Sequence, residues 1–308
     1  MSALGTRAVA VAARWLRLPA VGEVPEGTVV ELPGRGSTFV VDTGAPYDGA
    51  PVVVLLHALC CTGLLSWYPA LAPLGRRYRV IAFDQRWHGR GIRSPRFRLE
   101  DCADDLAALA DVLGIGRFVA VGYSMGSLVA QLAWRRHPER VDGAVLAAST
   151  AAFLPPGRHP RLVRAASRRI ARSAAGLRAM PPDATDRMSG TDATDRTDGT
   201  GEWALRQFRQ TSAAEIATAA ATIARFDSTA WIHRMTVPTA LVLTRRDRMV
   251  LPRWQHALAR SLPDAAVYEI DTGHAGCVRA SEVFVPALLA ACASVTNRCA
   301  PERRPPVR

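Results

Sequence analysis

The chain contains no lysine. All 39 of its basic residues are arginines, set against 27 acidic residues for a formal net charge of +12 over 308 residues. So complete a bias is what a GC-rich coding genome produces. Arginine holds its charge and can bridge phosphates, so nucleic-acid binding has to be weighed. The arginines fall in small scattered groups, at Arg161–Arg172, at Arg245, Arg246 and Arg248, and at Arg303, Arg304 and Arg308. No zinc-finger spacing, homeodomain pattern or aromatic RNA-binding motif accompanies them, and they read as solvated surface charge rather than a specific nucleic-acid interface. Metal-type cysteine spacing is also missing. Cys60, Cys61, Cys102, Cys277, Cys292 and Cys299 form no CxxC or Cys/His pattern, and nothing calls for a metal or cofactor. In a chain this long they are expected to be reduced thiols of a cytoplasmic protein. The N-terminal stretch MSALGTRAVAVAARWLRLP offers only six apolar residues, Ala8 to Ala13, before Arg14. That is too short for a signal-peptide core or a bilayer span. A surface helix carrying Arg7, Arg14 and Arg17 is the route left open to a weak membrane contact.

What is present is an apolar fraction of 49%, enough for a large core in one α/β domain plus an insertion. Residues 27–32 and 38–42 read as a hairpin around Pro33–Gly36. Residues 51–57 (PVVVLLH) are a continuous apolar, β-branched run, the pattern of a strand buried on both faces. Residues 79–84, 117–122, 143–148, 238–244 and 265–270 look alike. Helical patterns lie at 99–113, 125–137, 252–262 and 279–293. Strand alternating with helix implies a mostly parallel sheet covered on both faces. Between Ser149 and Val237 no strand signal occurs. Residues 160–180 and 202–226 have helical composition, and between them a polar, Gly-rich stretch repeats Ala-Thr-Asp-Arg at 184–187 and 193–196. The spacing predicts a core over 1–149 and 237–296, a helical insertion over 150–236 with a flexible loop at about 181–201, and a disordered tail over 297–308.

Gly122-Tyr123-Ser124-Met125-Gly126 follows the strand FVAV and opens the helix MGSLVAQLAWRR. About 0.1 copies of G-x-S-x-G are expected by chance at this composition, so the context carries the reading. A strand-to-helix turn at this motif holds the serine above the sheet edge, with the helix N-terminus presenting free N–H groups to a developing oxyanion. The run FDQRWHGRGIRSP, then LEDCADDLAALADVLGI, then this turn, then RRHPERVDGAVLAAS resembles the α/β-hydrolase family, its esterase, perhydrolase and lactonase-like branch, over about residues 27–295. The resemblance implies an eight-stranded, mostly parallel sheet flanked by helices, an acyl-transfer enzyme, and a helical lid where 150–236 falls.

Serine is a weak nucleophile that needs a base, and the base an orienting acid. In this fold the chain order is Ser, then Asp or Glu, then His. Of seven histidines only His274 follows a late strand, in the loop Asp271-Thr272-Gly273-His274. The acid is expected to be Asp247, after the strand PTALVLT, with Asp271 as its rival. Ser149 and Thr150, after GAVLAA, offer no carboxylate. The oxyanion donors are expected to be the backbone N–H groups of Met125 and Leu59. The family usually carries glycine where Ala58 stands, and relatives commonly carry glycine where Trp87 stands; both departures fall at the pocket mouth. Cys60 and Cys61 read as pocket lining, and Asp84, Arg86 and His88 as braces of the surrounding loops. Trp203, Phe208, Phe226 and Trp231 are candidates for an apolar acyl site, or for packing within the insertion. The expected partner is a small acyl substrate. Transfer to an acceptor other than water, C–C bond hydrolysis, and a ligand-binding protein that kept the fold are the alternatives. Epoxide and haloalkane hydrolysis are disfavoured, because those relatives use an aspartate where Ser124 stands.

Overall fold

A computed structural model of the chain describes residues 18, 19, 21, 24–153 and 198–299. The expected N-terminal surface helix, the helical stretch at 160–180, loop residues 181–197 and the tail from 300 lie outside them. Eight strands form one sheet in the order β1-β2-β4-β3-β5-β6-β7-β8. They are β1 (Gly27–Leu32), β2 (Gly36–Asp42), β3 (Val52–Leu56), β4 (Arg79–Phe83), β5 (Phe118–Tyr123), β6 (Val141–Ala147), β7 (Thr239–Thr244) and β8 (Ala266–Ile270). β1 and β2 form the expected hairpin, and β2 also runs antiparallel to β4; every other pairing is parallel.

Why the central strands read as unbroken apolar runs is plain from their two faces. Val54 and Leu56 of β3 enter one apolar layer, and Val53 and Leu55 the other. Leu241 and Leu243 of β7 divide from Ala240 and Val242 in the same way. Each fully buried Val or Leu side chain contributes about 1.5–3 kcal/mol. One face is covered by α2 (Leu99–Val112) and α3 (Met125–Arg136), the other by α1 (Gly63–Gly75) and α8 (Ser281–Thr296). Between them along the chain lie α4 (Asp198–Arg209), α5 (Ala213–Ile223), α6 (Pro252–Ser261) and the short α7 (Gly276–Arg279).

Three expectations are corrected. Helix α1 gives no helical pattern in the sequence because Pro69 and Pro73 lie inside it. It forms regardless: Thr62 caps it, accepting the N–H of Leu65 at 3.0 Å, and Leu65, Trp67, Leu71 and Leu74 bury its inner face. Residues 198–201, expected in the loop, begin α4. The tail expected to be disordered from 297 is held through Cys299: Arg298 donates to the carbonyls of Thr239 at 2.7 Å and Asp264 at 2.9 Å, and the Cys299 thiol to that of Asp142 at 3.4 Å.

The residues of helical composition at 202–226 fall in two helices, α4 and α5. Ser212 starts α5 with a reciprocal cap: its hydroxyl accepts the N–H of Glu215, whose carboxylate accepts the N–H of Ser212.

The strand order reverses at β3, which has β4 on one side and β5 on the other. The chain leaves β3 and β5 in opposite directions, so a crevice opens at their carboxyl ends. The loop 57–62 and Ser124 both lie there.

Candidate active site

Ser124 follows β5 directly and caps α3 with φ 54° and ψ −115°. This backbone conformation is costly for a residue with a side chain, and its surroundings hold it. The N–H of Ser124 donates to the carbonyl of Ala147 on β6 at 3.0 Å. Its own carbonyl accepts from Ser127, through the backbone N–H at 3.0 Å and the hydroxyl at 2.5 Å. The glycines of the motif permit the close packing. A Cβ on Gly122 would lie 2.3 Å from the carbonyl oxygen of Gly126, and one on Gly126 would lie 2.0 Å from that of Leu56. Behind the turn a buried polar chain runs from Ser127 to Ser149 (2.7 Å), from Ser149 to Gln131 (3.1 Å), and from Gln131 to Ser228 (2.7 Å).

Three of the expected site residues meet. His274 Nε2 lies 2.9 Å from Ser124 Oγ, and His274 Nδ1 lies 2.7 Å from Asp247 Oδ2. An ionised carboxylate only accepts, so Nδ1 carries the proton and Nε2 is left to accept from the serine hydroxyl. Asp247 is 3% exposed. Its Oδ1 accepts the N–H groups of Met249 (2.8 Å) and Val250 (3.0 Å), and its Oδ2 also accepts the hydroxyl of Thr244 at 2.8 Å. Burial works to raise the carboxyl's pKa. The imidazole and these hydrogen bonds outweigh it, so Asp247 is held below the ordinary carboxylate value. The rival Asp271 is exposed and pairs with Arg246 at 3.1 Å. Ser149, at the end of β6, is occupied by Ser127 and Gln131.

Met125 is the first residue of α3, where an N–H has no partner within the helix. Leu59 lies in the facing loop after β3. Its peptide is oriented from the other end, because the carbonyl of Ala58 accepts from the N–H of Cys61 at 3.2 Å and meets His57 Nδ1 at 2.8 Å. The N–H of Gln85 donates to His57 Nε2 at 2.8 Å, which fixes the His57 proton on Nδ1. The positive φ in this loop falls on Cys60, at 71°, and not on Ala58. Trp87 has φ 68°, a left-handed conformation that favours glycine, the residue that the family resemblance led one to expect there. The indole secures the turn by donating to the carbonyl of Ser94 at 2.9 Å and packing on Phe97.

The bracing residues are where they are needed. Buried Asp84 accepts the N–H groups of Gly63 and Arg90, each at 2.8 Å. Arg86 makes two bonds to Asp105, which also takes Arg35. His88 and His57 are fully buried with ring centroids 5.1 Å apart. Burial lowers the pKa of His88 from 6.5 to about 4; burial, then the neighbouring His88, puts His57 well below its ordinary value.

Helices α4 and α5 dock onto the same loops. Thr62 donates to Gln207 at 2.8 Å, the N–H of Gly89 donates to Thr211 at 3.2 Å, and Arg93 pairs with Glu215 at 2.6 Å. The four aromatics separate. Trp203 stacks edge-on against Tyr68, and Phe208 packs with Leu59, Cys60 and Ile216. Trp231 stacks on Trp134 and Phe226 is in the core, both in the layer that holds α2 and α3. Cys60 thus packs in a small apolar cluster, and burial raises the Cys61 thiol to about 11. No disulfide joins the six cysteines. Among the described residues, no group of three or more His, Cys, Asp or Glu could hold a metal ion, and no helix is long and apolar enough to cross a membrane.

Sequence reasoning missed the polar chain through Ser127, Gln131 and Ser228. Its only signal was the small and amide residues on the first turns after the motif.

Comparison with known proteins gives the family of the fold. Residues 51–278 match the family model for the alpha/beta hydrolase fold. The putative carbamate hydrolase RutD of Enterobacter cloacae is 38% identical over 86 residues, 27% of this chain and 32% of that protein. Epoxide hydrolase B of Mycobacterium tuberculosis is 36% identical over 122 residues, 36% of this chain and 32% of that protein. The matches thus span about a third of the length of these curated relatives. A thermophilic esterase from Thermogutta terrifontis superposes with a TM-score of 0.67 at 25% identity, covering 88% of this chain and 99% of that one. With the family model matching well over half of its length, the chain belongs to the α/β-hydrolase fold family.

Proposed function

We propose that this family member is a serine hydrolase acting on an ester or related acyl substrate. The observation that carries the reading is the continuous line from Asp247 through His274 to Ser124, at 2.7 and 2.9 Å, ending on a serine held at the crevice by a strained turn. His274 takes the Ser124 proton through Nε2 as Oγ attacks the acyl carbonyl. Asp247 keeps the imidazole in the Nδ1–H form and stabilises the cation that results. The N–H groups of Met125 and Leu59 receive the oxyanion. The protonated imidazole gives its proton to the leaving group. Water, deprotonated by the same nitrogen, then releases the acid and restores Ser124. None of these steps calls for a metal or cofactor.

The insertion 150–236 is read as a lid. Its described part supports this by gripping both mouth loops, at Thr62 and at Gly89 to Arg93. Leu59, Cys60, Phe208 and Ile216 then line an apolar place for the acyl group, and Trp203 joins Tyr68 at its edge. The Mycobacterium relative is named for epoxides, but Ser124 offers a hydroxyl where an epoxide opener of this fold uses a carboxylate. The test is hydrolysis of short-chain chromogenic esters by the wild type and by Ser124→Ala, together with labelling by a fluorophosphonate. Wild-type turnover and single-site labelling, both abolished in the variant, are expected. Equal rates in the two proteins would refute the proposal.

A further inference from the structure

The middle residue of the serine motif ties the strand that carries Ser124 to the loop that carries His274. Tyr123 ends β5, next to Ser124, and is fully buried. Its hydroxyl donates to the backbone carbonyl of His274 at 2.9 Å. A phenol has one proton to give, and here it is committed to His274, so this oxygen ties the His274 peptide to the end of β5. The ring cannot swing aside. Trp67 packs edge-on at 6.4 Å and Phe284 at 5.4 Å. Burial, with the nearby Cys277 and Asp247, puts the phenol's pKa well above its ordinary value, so the oxygen remains a donor.

Only one of the imidazole's two hydrogen bonds lasts through the reaction. Asp247 holds the ring at Nδ1, while the bond to Ser124 Oγ is the one the chemistry changes: once Oγ is acylated it has no proton to give, and Nε2 must turn to water. The peptide that carries the ring therefore needs an anchor that the reaction also leaves alone. The loop is tied on either side, where the carbonyl of Thr272 accepts the N–H of Arg246 at 2.9 Å and that of Gly273 accepts the N–H of Gly276 at 3.0 Å, but neither bond is made by His274 itself. Tyr123 supplies the anchor from the strand that already positions the serine, so that His274 and Ser124 move as one unit. We propose that the Tyr123 hydroxyl is a positioning group that keeps the His274 backbone in register with Ser124 through both acylation and deacylation. This rests on the reading of Ser124 as nucleophile and His274 as base.

Tyr123→Phe removes one oxygen and keeps the ring. On a short-chain chromogenic ester it is expected to lower kcat about ten- to a hundred-fold, the scale of a misplaced catalytic group, with KM within about twofold. Phe284→Leu is the packing control: it loosens the ring's seat but leaves the hydroxyl, and is expected to lower the melting temperature at least as much while keeping kcat within about threefold. A Tyr123→Phe kcat within threefold of wild type overturns the proposal. So does a Phe284→Leu kcat loss as large as that of Tyr123→Phe. Amide exchange over 272–278 reads the loop itself: it is expected to quicken in Tyr123→Phe, and exchange equal to that of the wild type overturns the proposal. Ser124→Ala, run in parallel, separates the two claims. Activity retained there refutes the serine reading, whereas a dead Ser124→Ala beside an unimpaired Tyr123→Phe refutes only the role of Tyr123.

Discussion

At the scale of single residues, the environment assigns the chemistry. Two aspartates follow late strand ends ahead of His274, Asp247 after β7 and Asp271 after β8, and either would serve by residue type. Asp247 is buried among four hydrogen-bond donors, whereas Asp271 stands in solvent against Arg246. A surface ion pair of the second kind is worth little. An acid buried beside the base can orient and stabilise it. Asp247→Asn is therefore expected to lower kcat about 10⁴-fold with little change in KM, because an amide in that place favours the wrong imidazole tautomer. Asp271→Asn is expected to stay within about twofold of wild type, judged by the weakness of exposed pairs. Steady-state kinetics of the pair check both. Ser124, His274 and Asp247, which the fold brings together, stand out in the sequence because each follows a strand end that its apolar run announces. The positive φ of Cys60 was not legible, because φ in a loop is set by what the neighbouring carbonyls bind, and no local pattern carries that. Trp87 was legible as an oddity, and only its φ of 68° gives the physical reason.

At the scale of elements, the turn between β5 and α3 depends on how closely α3 approaches β3. Gly126 is the contact point. Its Cα faces the carbonyl of Leu56, and an added Cβ would stand 2.0 Å from that oxygen. Backbone cannot rotate out of the way as a side chain can, so α3 would have to lift off the sheet and take Met125 and Ser124 with it. Gly126→Ala is expected to destabilise the protein by at least about 3 kcal/mol, at the upper end of overpacking costs, and to abolish turnover in whatever remains folded. Gly116→Ala is the matched control. Nothing lies within 4 Å of its added methyl, and a change within about 0.5 kcal/mol is expected. Urea unfolding of the two variants gives both numbers. Elements differ in how far the sequence announces them. The buried strands are legible because β-branched runs bounded by turns have few other uses. Helix α1 is not, since two prolines hide a segment whose stability comes from Thr62 and from the face that Trp67 and Leu71 bury against the sheet. Helix α4 is obscured by its start at Asp198-Gly199-Thr200-Gly201, a composition that propensity alone assigns to a loop.

At the scale of the whole molecule, the fold keeps two imidazoles neutral within its interior beside the mouth loops. His57 joins the loop after β3 to Gln85, and His88 secures the turn after β4 through the carbonyl of Arg86 at 3.0 Å. Both have their pKa lowered by burial, His88 from 6.5 to about 4. In an unfolded chain each would take up a proton near the ordinary histidine value. Between that value and about 4 the unfolded state therefore binds more protons, and stability rises with pH. Acidification reverses this: stability is fully present above about 6.5 and drains as the pH falls toward 4. At 1.36 kcal/mol per pH unit, His88 alone costs about 2 kcal/mol by pH 5. Asp247, held low in the folded state, acts in a different window. Its contribution persists above the ordinary carboxylate value and is lost only as the pH falls through its own lower one. The midpoint in urea is thus expected to drop between pH 6.5 and 5, before Asp247 is called on. His88→Asn, which can still donate to the Arg86 carbonyl but takes up no proton, should flatten that drop by about 2 kcal/mol at pH 5 relative to its own value at pH 7.5. Parallel slopes for wild type and variant over that range would show that the interior histidines do not govern the acid limit of the fold.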